Sequence, residues 1–169
     1  MKRILLASAL LLASVSLFAA KPLKVTVGSI DVLKESSAAI YVIDLSQATF
    51  EGEKDFKTWC EGDYDTRVTT MNETFLEKFN QYSKGMKVQK DGDAPYKLVF
   101  KVKEFERKMG GTMGQFFMKV YGTIVITDKA GETVCEIEVD GVRGNPDFVE
   151  NDRFPKVIDG LCRELSKLK

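Results

Sequence analysis

One segment of the chain stands apart by residue type: Met109-Gly110-Gly111-Thr112-Met113-Gly114-Gln115-Phe116-Phe117-Met118 gathers methionine and phenylalanine around glycine. It lacks the Lys and Ser/Thr ending of a phosphate-binding loop. Thioethers take Cu(I), but a site needs at least about three to converge, drawing in Met71 or Met86 from another element. A flexible apolar loop entering a strand satisfies the same residues more simply. It either folds back on the sheet or presents Phe and Met side chains to a partner. Strand alternation turns only one of Phe116 and Phe117 inward and leaves one ring to be accounted for. Met109, Gly110, Gly111, Met113, Phe116, Phe117 and Met118 are therefore the candidate binding residues.

Other chemistries find less support. The sequence has no histidine, which removes Ser-His-Asp and Cys-His triads and most zinc sites. Asp44, Glu61, Asp63, Asp65, Glu104 and Glu106 offer carboxylate pairs that could split acid and base roles. Exposed surface and helix caps explain them equally well. Asp91-Gly92-Asp93 and Asp63-Tyr64-Asp65 lack the register of a calcium loop and read as a turn before Pro95 and a helix cap. No catalytic residue, metal or cofactor is assigned.

The elements that position these residues lie in one mature chain. Met1-Lys2-Arg3 precedes an apolar run from Ile4 to Phe18 and the small pair Ala19-Ala20. Residues 1–20 thus read as a secretion signal and residues 21–169 as a single domain. The run is shorter than a spanning helix requires, and no later segment is apolar enough to cross a bilayer. The first cysteine is Cys60, so no acceptor for a lipid anchor lies near the cut, and the mature protein is expected in the periplasm or outside the cell. Charge balances at 25 basic and 25 acidic residues. With no basic stripe, nucleic acid is not an expected partner. Three cysteines allow at most one internal bridge. Cys135 and Cys162 are its candidates, and burial as free thiols is the alternative.

Period assigns the elements. Lys24–Leu33 reads as a strand broken near Gly28, and Ala38–Leu45 as a strand buried on both faces. Glu53–Cys60 reads as a short helix. Val68, Met71, Phe75, Leu76, Phe79 and Tyr82 form the stripe of a longer one, capped by Asp63 or Asp65 and stopped by Gly85. Tyr96–Lys103, Phe116–Thr127 and Glu132–Val142 alternate as strands, the last two joined by Asp128-Lys129-Ala130-Gly131, and together make an antiparallel meander. Phe154, Val157, Ile158, Leu161, Cys162, Leu165 and Leu168 mark a closing helix capped by Asp152, with Pro155 in its first turn. These elements predict an α+β two-layer sandwich: a mixed or antiparallel sheet of about five strands, packed by two main helices and one short one.

That order resembles the two-layer domains of bacterial envelope proteins, such as the lipopolysaccharide-assembly lipoprotein and the amino-terminal domain of TolB. Gly28-Ser29-Ile30-Asp31-Val32-Leu33-Lys34, Ile43-Asp44-Leu45-Ser46-Gln47-Ala48-Thr49-Phe50-Glu51-Gly52 and Trp59 resemble a group of exported Bacteroidetes proteins. The resemblance implies the fold and export, and it carries no catalytic residue to this chain. The expected function is that of a non-enzymatic secreted or cell-envelope module binding a protein or an amphiphile. A carboxylate enzyme acting on an envelope glycan and a secreted enzyme inhibitor are the alternatives.

Overall fold

Phe100, on a strand, and Phe75 and Leu161, on two helices, are all fully buried in one continuous core. The computed structural model describes residues 21–110, 115–147 and 149–168. The expected signal segment lies outside the described residues, as do Gly111, Thr112, Met113 and Gly114. The strands are β1 (Leu23–Gly28), β2 (Ala38–Asp44), β3 (Thr49–Phe50), β4 (Lys54–Asp55), β5 (Lys87–Gln89), β6 (Tyr96–Met109), β7 (Phe116–Asp128) and β8 (Thr133–Arg143). The helices are α1 (Asp31–Lys34), α2 (Phe56–Cys60), α3 (Tyr64–Tyr82) and α4 (Glu150–Leu165).

The class is α+β with a mixed sheet of eight strands, more than the sequence predicts. The excess lies in β3, β4 and β5, which have two or three residues each and are too short for alternation to register. The main path runs β1-β8-β7-β6-β2-β5, and β3 continues beside β6 past the end of β2. β6, β7 and β8 form the expected antiparallel meander. Asp128 shapes its turn: Oδ1 accepts from the N–H groups of Ala130 and Glu132, both at 2.9 Å.

Several local expectations are corrected. The segment read as one broken strand divides at Gly28, and Asp31–Lys34 turns as a helix begun by the Ser29 hydroxyl, whose oxygen accepts from Asp31 N at 3.1 Å. β2 is buried on one face only, since Ala39 and Tyr41 are covered while Val42 is exposed. Among the described residues no second layer covers its outer side chains. Asp63 precedes α3 without a side-chain cap, and the helix ends at Tyr82, before Gly85. α4 starts at Glu150, so Asp152 falls inside it and Pro155 lies beyond the first turn. Phe56 to Cys60 is helical as expected, but Lys54 and Asp55 pair as a strand before it.

The core forms where alternating strand residues meet the two helix stripes. Leu98, Phe100 and Val102 of β6, Ile124 and Ile126 of β7 and Ile137 and Val139 of β8 meet Met71, Phe75 and Phe79 of α3 and Val157, Ile158 and Leu161 of α4. Among the described residues no helix is long and apolar enough to cross a membrane. Cys60, Cys135 and Cys162 are all buried and free, so the Cys135–Cys162 bridge is not formed.

Candidate binding surface

Register shifts interrupt the meander at neighbouring places: between Val102 and Glu104 on β6 and between Val120 and Gly122 on β7. Bulges raise local twist and re-aim a strand. Here they restore the buried set, so that Phe105, Val120 and Val142 continue the core beyond them. The β8 side of this bend needs Gly141, whose φ is +67° and over which the Tyr121 ring lies. A side chain there would meet both a disfavoured backbone angle and the ring.

Beyond the bend the β6–β7 hairpin carries the sequence-marked residues. Met109 pairs with Phe116, Lys108 with Phe117 and Arg107 with Met118. Gly110 N–H donates to the Gln115 carbonyl at 3.0 Å. Phe116 exchanges backbone bonds with Asp147, and Gly144 N–H donates to Met118 O at 2.9 Å, so the segment before α4 flanks the ribbon.

The two phenylalanines do face opposite ways. Met118 is fully buried in the core, and Phe116 shares its side, with the Arg153 guanidinium 5.0 Å and that of Arg107 5.9 Å from its ring centroid. Phe117 is buried on the outer side, outside the main core, beneath the Arg143 guanidinium at 4.0 Å. Gly110 lets that ring approach, because a Cβ there would stand 2.4 Å from it. Both rings therefore have covers. Met109 does not: it is 76% exposed at the end of β6. Met71 and Met86 are buried in the core, away from solvent.

Cations surround this end. Lys119 sits directly opposite Arg143 across β7 and β8 and directly opposite Glu106 across β6 and β7, so one carboxylate stands beside two cations in that row. Lys108 pairs with Glu106, Arg107 Nε lies 3.4 Å from Glu51, and Lys156 pairs with Asp147. Arg153 is buried on α4, its Nε donating to Asp147 O at 3.2 Å. These arginines and lysines escaped the sequence reading, because only cross-strand register and the approach of α4 bring them together.

The six candidate carboxylates are not gathered into one site. Asp44 bonds Ser46 N within its own turn at 3.0 Å, and that bond holds its carboxyl below the usual range. Glu106 is also lowered, chiefly by Lys108, and accepts from the Tyr121 hydroxyl at 2.7 Å. Asp63 lies 3.7 Å from Arg67. Asp65 and Glu61 are exposed, and Glu104 lies beside Gly52. Asp44 and Glu106 are thus both shifted down, whereas a general acid needs a carboxyl pushed up.

No protein-family model matches the chain, and no curated protein matches it. Among solved structures it is similar to two PelC dodecamers from Paraburkholderia phytofirmans, one of them a point variant, at TM-scores of 0.46 and 0.45 and identities of 14% and 13%. Each likeness covers 87% of this chain and 98% of the other, and likeness at that level does not bear on what this chain does.

Proposed function

We propose that the chain is a non-enzymatic binding module, exported to the periplasm or beyond, whose β6–β7 tip engages an anionic amphiphile. The observation that carries this is the exposed Met109 side chain at the end of a ribbon, on the face it shares with Phe116, about whose ring Arg107 and Arg153 lie, while Lys119 stands opposite Arg143 on the other face. An apolar point backed by cations suits a molecule with an anionic head and an apolar tail, because burial of the thioether and charge pairing then act together. Both long helices pack on the inner face, and α4 reaches the ribbon through Arg153 against the Phe116 ring and the segment before it.

The test is cosedimentation with vesicles, using protein recovered from the exporting cell, whose first residue is expected near Ala20 or Lys21. Binding to phosphatidylglycerol vesicles, little to phosphatidylcholine, and weakening with salt are expected. Met109→Asp and Arg143→Glu should each lower partitioning several-fold. No binding to anionic vesicles, or binding indifferent to both substitutions, overturns the assignment. An intact Met1 on the exported molecule overturns the signal.

A further inference from the structure

The outer face of the sheet carries a charge order that is antisymmetric about its middle strand. One row across five strands reads Asp44 on β2, Lys101 on β6, Thr123 on β7, Glu138 on β8 and Lys24 on β1, each in register with the next. Its signs run minus, plus, neutral, minus, plus. Lys103 and Asp140 flank β7 near the bend and repeat the opposition, both exposed. The neighbouring row holds Val42, Val99, Val125, Glu136 and Val27, again in register. Val42 and Val27 are 36% and 45% exposed, two of the few large apolar side chains left in water among the described residues.

We propose that this face pairs with the same face of a second copy about a twofold axis parallel to β7. That rotation exchanges the two sides of the sheet without reversing the strands. Lys101 of each copy then meets Glu138 of the other, Asp44 meets Lys24 and Lys103 meets Asp140. Thr123 and Val125 lie at the centre, small enough for the spacing of about 10 Å between packed sheets. In the second row Val42 meets Val27 while Val99 meets Glu136, whose carboxylate accepts from the Thr26 hydroxyl of its own chain at 3.2 Å. A twofold interface must be self-complementary, and an antisymmetric charge row meets that demand at every position. Five strands at about 4.8 Å and about seven residues at about 3.3 Å give roughly 550 Å² per copy. Two copies together reach the size of about 1,000 Å² from which specific interfaces begin.

Sedimentation equilibrium of the purified protein tests this. A dimer is expected that weakens between about 0.01 M and 1 M salt, as the screening length falls from about 30 Å to about 3 Å. Lys101→Glu and Glu138→Lys should each lower the association constant about tenfold or more, by placing like charges face to face twice. The double variant should recover it. An equimolar mixture of the two single variants should also associate, since every contact across that heterodimer is again of opposite sign. Recovery excludes misfolding of the singles as the cause of their loss. A monomer at up to about 0.2 mM, where even a micromolar dimer would be populated, overturns the proposal. So does a dimer indifferent to the single variants, or a double variant and mixture as weak as the singles.

Discussion

Phe75 stacks almost flat on Tyr41, with ring centroids 3.8 Å apart and planes 6° from parallel, and Phe79 also stacks on Phe75, at 5.3 Å. The Tyr41 hydroxyl beneath it is buried without a hydrogen-bond partner, and burial pushes its pKa well up. This stack must therefore offset an unsatisfied polar group as well as fill space. Leu161 occupies the corresponding place on α4, and neither side chain touches water. Phe75→Ala and Leu161→Ala are each expected to lower unfolding free energy by about 2–5 kcal/mol, read from denaturant midpoints at constant slope. Unchanged midpoints would mean that the helices turn other faces to the sheet. Both residues were legible because helical period alone places them at the middle of their stripes. The unsatisfied hydroxyl was not, since alternation gives direction and says nothing of what lies at the end of a side chain.

At the scale of elements, β5 illustrates how a three-residue edge strand is held. It pairs in parallel with β2 on one side. On the other, the Asn80 side chain of α3 acts as a short substitute strand: Nδ2 donates to Val88 O and Oδ1 accepts from Val88 N, each at 2.8 Å. The carboxamide thereby occupies groups that an edge would otherwise offer to another chain. Asn80→Ala should cost about 1–3 kcal/mol by stranding both backbone groups. Amide exchange at Val88 should quicken much more than in β7. Equal protection in the variant would show that β2 alone orders β5.

β5 was invisible in the sequence, and for the same reason as β3 and β4: their few residues offer no period. The long strands and both long helices were readable because their periods run for several repeats. Helix starts were less so. Neither Asp63 nor Asp152 caps its helix, because aspartates near a stripe are common and only backbone angles decide which residue turns the chain. The candidate surface was half readable. Its methionines and aromatic rings were marked by composition, whereas Arg143 over Phe117 depends on β8 lying beside β7.

At the scale of the molecule, one core is shared by every α-helix and every strand except the exposed β4, and all three thiols lie in it. Burial pushes the Cys60 thiol up to about 11 and raises those of Cys135 and Cys162 as well. Thiolate is the nucleophile in disulfide exchange, so the folded chain is doubly guarded, by access and by protonation. Heating followed by cooling should restore the native signal fully with reductant present. Without it, recovery should fall with time spent unfolded, as thiols pair within and between chains. Full recovery in both conditions would mean that the unfolded thiols also stay unreactive.

An odd number of thiols cannot pair off completely within one chain. In an oxidising compartment, each global opening would carry a chance of covalent capture that refolding cannot undo. The working lifetime of the molecule there would then be set by how often it opens, so the height of its unfolding barrier would matter more than the depth of its native well.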